Sequence, residues 1–202
     1  GSNEDADEEL RLLFGIQKLM DYPKPVRLLL KLLSSYRGSD DHIILDFFSG
    51  SATTAHAVMK LNAEDGGHRK FIMVQIPEAT DKNSEAYKAG YKTICEIGKE
   101  RIRRAAKKIT EENPDAKFDA GFRVLKCDSS NMKDVYYNSA DLDISMFDNL
   151  VDNIKDDRTP EDLLFQVMLD LGVLLSSKIE ETTISGCKVF IVADGFLYAC
   201  FD

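Results

Sequence analysis

Tryptophan is absent from the 202 residues, and histidine (3), cysteine (4) and proline (5) are scarce. No two of His42, His56 and His68 stand four residues apart, so the paired ligands of a metal-binding helix are missing. Cys95, Cys127, Cys187 and Cys200 form no C-x-x-C pair and have no close histidine. That spacing is poor for zinc and poor for a small disulfide framework; the four read as reduced thiols packed in a core. No apolar run approaches the roughly 20 residues of a membrane helix, and no secretory leader opens the chain. Positive net charge is missing too: Lys+Arg 26 against Asp+Glu 35 leaves −9, which argues against the chain wrapping a nucleic acid by itself. What remains is 44% hydrophobic and 30% charged with only 12 glycines, the proportions of a globular protein. The expectation is a soluble, acidic, cytoplasmic protein of one large domain or two small ones.

Gly1-Ser2 reads as a cloning remnant, and Asn3 to Glu9 holds five acids and no base, a solvated tail or a helix start. Leu10 to Met20 suits a short helix. Asp21 to Pro25 is extended, because each proline pushes its predecessor out of the helical region. Val26, Leu29, Leu30 and Leu33 follow helical spacing and predict a buried helix. Ile43 to Phe48 is apolar without alternation, the pattern of a strand covered on both faces. Ser49-Gly50-Ser51 turns the chain, Ala52 to Leu61 reads as a helix ended by Asp65-Gly66-Gly67, and Arg69 to Ile76 is a second buried strand. This β-α-β order predicts a parallel sheet with a right-handed crossover.

A helix is expected over Tyr87 to Ile109, with Ile94, Ile97, Ile102, Ala105 and Ile109 on one face. Residues 92–108 carry seven bases and two acids, a net of +5; this face is either solvated or the one cationic stretch able to meet a phosphate backbone. Phe122 to Lys126 predicts a further strand. Ser129 to Glu161 holds eight acids against three bases, a domain joint or surface excursion. Thr159-Pro160-Glu161-Asp162 starts a helix, with threonine as cap, proline in first position and acids in the first turn. Leu163 to Leu175 continues it, and strands Cys187 to Val192 and Phe196 to Phe201 follow, joined through Asp194-Gly195. There is no internal repeat, and the chain ends inside its last strand, as a piece of a longer protein would.

The informative segment is Leu45-Asp46-Phe47-Phe48-Ser49-Gly50-Ser51-Ala52-Thr53-Thr54. A tight turn from a strand's carboxyl end into a helix exposes backbone N–H groups where open α/β sheets bind ligands. No Gly-Lys precedes Thr53, so the Walker pattern fails, and Gly50 is the only glycine, so the dinucleotide pattern fails. A carboxylate before the turn and aromatic neighbours suit an amino-acid-bearing nucleoside such as S-adenosylmethionine. An ordinary turn in which Asp46 caps local groups is equally open on spacing alone.

DFFSGSATTAHAVMKLN resembles the D-x-F-x-G-x-G-T-T loop of amino-methylating DNA methyltransferases. YPKPVRLLLKLL resembles the Lys-Pro motif that precedes this loop in the permuted group, and RKFIMVQIPE the family's second strand. With EDGG before that strand and GYKTICEIGKERIRRAAKKI after it, the resemblance is to the modification (Mod) subunit of type III restriction–modification systems, adenine-N6 methyltransferases. It is strong over Tyr22 to Met132 and weaker to Asp202. The fold it implies is α/β: a Rossmann-like S-adenosylmethionine-dependent methyltransferase partial fold over residues 22–128. An acidic tail or short helix over 1–21 precedes it, and a small α+β region over 129–202 follows.

On the same resemblance, Lys24 meets the carboxylate of S-adenosyl-L-methionine and Asp46 its ammonium. Phe47, Phe48, Ser49, Gly50 and Ser51 line the methionine portion, with Ala52 and Thr53 closing the loop. Gln75 stands where the family has an acid for the ribose hydroxyls, and Ile76 and Pro77 pack on the adenine. Three features depart from the pattern. Ala52 replaces a glycine, adding a Cβ where the ligand approaches or where positive φ is needed. Gln75 loses the charge-assisted part of a ribose bond. No Asp-Pro-Pro-Tyr or similar tetrapeptide occurs, so no catalytic residue and no metal ligand is assigned. That tetrapeptide accepts the adenine N6 protons and stacks on the flipped base. The implied expectation is a cofactor-binding half, inactive alone, with the catalytic and DNA-recognition parts upstream. Implied partners are DNA (mainly through those parts), the type III restriction subunit and a second Mod subunit, with no membrane. Other readings are a non-catalytic interaction module contacting those subunits, and a Rossmann-like domain for another nucleotide.

Overall fold

Acids in a first helical turn favour the positive end of the helix dipole, and the first helix, α1 (Asn3–Phe14), opens on Glu4 and Asp5. The computed structural model describes residues 3–36, 38–133 and 153–201, in two compact units, residues 1–124 and 125–202. Of the two readings for Asn3 to Glu9, the helix start is the one observed. Ala6, Leu10 and Phe14, each four residues after the last, are buried. The helix expected over Leu10 to Met20 is displaced toward the amino terminus. It stops at Gly15 (φ +73°), whose N–H donates to the Arg11 carbonyl at 2.8 Å, the left-handed stop that glycine permits. Leu10, Phe14 and Leu19 then pack with Ala86 and Ile97.

Helix α2 (Val26–Ser35) turns the expected face inward, with Val26 buried and Leu29, Leu30 and Leu33 half-buried. Leu28 and Leu32 are 45% and 58% exposed, because leucines occupy two faces of a helix that leans on one neighbour, so the helix as a whole is not buried. Strands β1 (Ile43–Asp46) and β2 (Lys70–Met73) pair in parallel, Ile43 opposite Lys70 through Asp46 opposite Met73. Helix α3 (Thr53–Asp65) lies between them in the chain, closed by Gly66 at φ +73°. The expected β-α-β unit is present, but both strands are shorter than expected and neither is covered on both faces. Exposure alternates along them, since among the described residues the helices cover one face only. Phe71 and Met73 point to a core of Ala52, Ala55, Met59, Ile102, Ala105, Ala106 and Ile109. Ile43, Leu45, Ile72, Val74 and Ile76 remain 48–68% exposed.

The helix expected over Tyr87 to Ile109 is two: α4 (Glu85–Lys88) and α5 (Ile94–Glu112). Gly90 at φ +97° breaks it, and the Glu96 carboxylate restarts it by accepting from the Lys92 and Thr93 N–H groups at 2.6 and 3.2 Å. No strand forms over Phe122 to Lys126. Phe118 and Phe122 instead pack on the first core, with the Arg103 guanidinium 5.6 Å above the Phe122 ring.

The second unit contains α6 (Pro160–Asp170) and an antiparallel sheet of β3 (Ile179–Ile184), β4 (Cys187–Val192) and β5 (Leu197–Cys200), in that order. Strand β4 has the expected limits, and β5 is shorter by one residue at each end. β3 was not anticipated, because IEETTI lacks an apolar alternation. It is set by the hairpin after it, whose loop residues Ser185 and Gly186 both have positive φ (54° and 92°), the primed turn that strand twist favours. Leu164, Met168, Phe190 and Val192 form the core. Cys127, Cys187 and Cys200 are exposed, so three of the four thiols are not core residues as expected. Most of the Ser129 to Glu161 excursion, residues 134–152, lies outside the described residues.

Helix α6 begins as expected. The Asp162 carboxylate accepts from the Thr159 N–H and hydroxyl, both at 2.8 Å, and the Thr159 hydroxyl accepts from the Asp162 N–H at 3.3 Å. These bonds, the backbone one foremost, hold the Asp162 carboxyl below the usual carboxylate range. Thr159→Ala is expected to cost about 1 kcal/mol, read as roughly fivefold faster amide exchange over Leu163 to Met168.

Candidate ligand-binding turn after the first strand

The ladder between β1 and β2 runs past the strand ends. The Val74 N–H donates to the Asp46 carbonyl at 2.8 Å and the Ser49 N–H to the Val74 carbonyl at 3.2 Å. This fixes where the chain leaves the sheet. Asp46, half-buried, then organises the turn: Oδ1 accepts from the Phe48 N–H at 3.3 Å and Oδ2 from the Thr54 hydroxyl at 2.5 Å. Local capping by Asp46 is thus observed. A carboxylate has about four acceptor sites, which leaves capacity for a ligand cation.

The turn is left-handed at Gly50 (φ +50°) and again at Ala52 (φ +59°, ψ 40°). The Ala52 N–H donates to the Ser49 carbonyl at 2.7 Å. For alanine this conformation costs about 1–2 kcal/mol, so positive φ is indeed what the position requires. The Gly50 N–H donates to Gln75 Oε1 at 2.7 Å, while Gln75 Nε2 donates to the Ile76 carbonyl at 3.2 Å. The side chain that replaces an acid therefore ties the end of β2 to the turn. Gly98 of α5 faces the same place: a Cβ there would stand 3.2 Å from the Gly50 carbonyl oxygen and 3.5 Å from the Ala52 Cβ.

Behind the turn lies a polar network. Arg101, only 1% exposed, donates from Nη1 to both the Ser51 hydroxyl (2.8 Å) and the Thr53 hydroxyl (2.7 Å). Its Nη2 lies 3.9 Å from Glu9 Oε2, which accepts from the Val26 N–H at 2.9 Å. The Thr53 hydroxyl also donates to the Lys24 carbonyl at 3.3 Å. Burial lowers the Arg101 pKa to about 10 against the pull of Glu9, and the group stays cationic at neutral pH. Nearby, burial first, then Arg101, Lys60 and Lys108, push the His56 pKa down to about 3, so this imidazole is neutral.

The structure thus brings Asp46, Phe47, Phe48, Ser49, Gly50, Ser51, Ala52, Thr53 and Gln75 together at the carboxyl ends of the two parallel strands. Phe47 and Phe48 are 63% and 74% exposed, their centroids 5.2 Å apart. Ile76 and Pro77 are exposed just beyond β2. Lys24 reaches the turn through its carbonyl, and its side chain is exposed. Sequence reasoning missed Glu9, Thr54, Gly98 and Arg101. Arg101 had a signal: it falls four residues from both Ile97 and Ala105, inside the apolar stripe of α5. Gly98 had one too, since a glycine in mid-helix costs roughly 0.5–1 kcal/mol and calls for a close neighbour. The basic stretch 92–108 is accordingly not one solvated face. Arg101 is internal, and Arg104 lies 4.9 Å over the Phe14 ring and donates to the Leu13 and Phe14 carbonyls.

Residues 3–114 match the DNA methylase family of N6/N4 methyltransferases. Over 122 residues, 60% of this chain and 18% of the relative, the chain is 49% identical to the Mod subunit of the type III restriction-modification enzyme StyLTI from Salmonella typhimurium. It is 37% identical to the EcoPI Mod subunit of Escherichia phage P1, over 96% of this chain and 30% of the relative. It is 36% identical to the type II methyltransferase M.KpnI of Klebsiella pneumoniae, over 57% of this chain and 26% of the relative. The chain therefore spans a third or less of the length of these relatives.

Proposed function

Because the chain belongs to the DNA methylase family, we propose that residues 22–128 are the cofactor-binding part of a Rossmann-like methyltransferase. The parent enzyme would methylate adenine N6 at specific DNA sites in the cytoplasm, within a type III restriction–modification system, with residues 129–202 as its α+β carboxyl-terminal region. The observation that carries this reading is Asp46 at the carboxyl end of a parallel strand, facing a left-handed turn whose Gly50 is held from the second strand by Gln75. These residues fit S-adenosyl-L-methionine. Its bound form supplies an electrophilic sulfonium methyl. Asp46 accepts from the amino-acid ammonium and Lys24 meets the carboxylate. Phe47 to Thr53 enclose the methionine portion. Gln75, its carbonyl oxygen engaged by Gly50 and one N–H by the Ile76 carbonyl, offers its remaining amide N–H to the ribose, and Ile76 and Pro77 flank the adenine.

No acceptor for the adenine N6 protons is assigned among the 202 residues, so this chain holds the cofactor and methyl transfer draws on residues outside it. DNA, the restriction subunit and a second Mod subunit are its partners in the parent protein. Among the described residues no helix is long and apolar enough to cross a membrane. The second reading, an assembly module without cofactor, is favoured by the exposed apolar face of β1 and β2.

Calorimetric titration with S-adenosylhomocysteine separates the two. Binding is expected, and Asp46→Ala is expected to weaken it roughly 10–100-fold, the value of a charge-assisted bond of about 1.5–3 kcal/mol. A folded chain that evolves no heat of binding would leave the assembly reading standing.

A further inference from the structure

We infer that Arg101 is a positioning residue for the turn of residues 49–54, holding Ala52 in a backbone conformation that its side chain disfavours. Ala52 has φ +59° and is 2% exposed. A residue in this region persists only where its surroundings over-determine it. Here the two residues flanking it, Ser51 and Thr53, both accept from one nitrogen, Arg101 Nη1, at 2.8 and 2.7 Å. A clamp on the side chains of residues 51 and 53 restrains the positions of the backbone on either side of residue 52. The clamp is itself fixed: Nη2 lies 3.9 Å from Glu9, whose carboxylate accepts from the Val26 N–H, and the Thr53 hydroxyl donates to the Lys24 carbonyl. Neither the turn's capping by Asp46 nor the bond from Gly50 to Gln75 touches residues 51 to 53, so neither does this work. Arg101 thus stands in for the glycine that a left-handed position ordinarily takes. Its reach into ligand affinity rests on the cofactor reading above; its hold on the turn does not.

The test is amide hydrogen exchange of the chain without ligand. In Arg101→Met the Gly50 to Thr54 amides are expected to exchange at least tenfold faster relative to those of Ala105 to Ile109. Arg101→Lys, whose single ammonium nitrogen can serve both hydroxyls, is expected to stay within threefold of the unsubstituted chain. Adding Ala52→Gly to Arg101→Met is expected to return most of the lost protection, because glycine adopts the left-handed conformation unaided. Thr53→Val and Ser51→Ala, which each remove one acceptor, give the same reading should the methionine variant not fold. Exchange in the turn that rises no more than in α5, or that Ala52→Gly fails to restore, overturns the inference. Where the unsubstituted chain binds S-adenosylhomocysteine, Arg101→Met is also expected to bind it at least tenfold more weakly. Absence of binding by the unsubstituted chain counts against the cofactor reading alone.

Discussion

Lowering the pH from 6.5 to 5 is expected to remove about 2 kcal/mol from the stability of the unit spanning residues 1–124. The group responsible is His56. Its folded pKa of about 3 lies far below the ordinary 6.5, chiefly through burial and secondly through the charges of Arg101, Lys60 and Lys108. Between those two values the unfolded chain binds a proton that the folded chain refuses. Stability therefore falls as pH falls, by about 1.4 kcal/mol per pH unit. The ring's Nδ1 has no hydrogen-bond partner, so no compensating bond rewards the charged form. The other shifted groups of this unit act outside this window: Asp65, lowered by its bonds from Arg69, and Glu8, lowered by its bond from Arg11, are carboxyls, and Arg101, lowered by burial to about 10, stays charged throughout. Urea unfolding at pH 7.5, 6.5, 5.8 and 5.0 measures the slope. His56→Leu keeps the volume and removes the titration, and its curve is expected to be nearly flat between pH 6.5 and 5. Parallel slopes for the two proteins would rule out His56 as the source.

Gly98→Val is expected to destabilise the same unit by about 1–3 kcal/mol. A Cβ on Gly98 alone would stand 3.2 Å from the Gly50 carbonyl oxygen, a backbone atom held on the other side by the bond from Gly50 to Gln75. Valine adds two further carbons toward the turn, and overpacking of this kind costs typically 1–3 kcal/mol, offset only by the few tenths of a kcal/mol by which valine exceeds glycine in helix propensity. Gly98→Ala is the informative partner. It gains up to about 1 kcal/mol of helix propensity and needs only a small displacement of the turn, so its net change is expected to lie within about 1 kcal/mol. Chemical denaturation of the three proteins measures both. A valine variant as stable as the alanine one would mean that α5 and the turn separate without cost.

The local order of strand, turn, helix and strand was legible in the run IILDFF, the glycine turn and RKFIMVQI. The start of α6 was legible in Thr159-Pro160-Glu161-Asp162, since a cap is an interaction among four neighbouring residues. Strand lengths and coverage were not legible. Apolar runs without alternation implied burial on both faces, yet Ile43, Leu45 and Ile72 are exposed because the described residues supply helices to one side only. The segment Phe122 to Lys126 has the composition of a strand and forms none among the described residues. At the site, the resemblance placed Asp46, the glycine turn and Gln75 at one locus, and the coordinates set them at the ends of adjacent parallel strands. The resemblance also marked Ala52 as a departure; the reason, positive φ, came from the backbone.

By itself the sequence determined what neighbours along the chain decide: the capped start of α6, the turn after Asp46, the hairpin strand Cys187 to Val192, and membership of the DNA methylase family. Tertiary structure alone decided what depends on residues distant in the chain. Arg101 reaches Ser51 and Thr53 from about fifty residues away, Glu9 stands beside it, and Gln75 grips Gly50 across the sheet. A hydrogen bond depends on separation in space, and only the packing of α1 and α3 on α5, with the pairing of the two strands, brings these groups within reach. The same burial turns a basic side chain, which composition alone assigns to solvent, into the internal support of the turn.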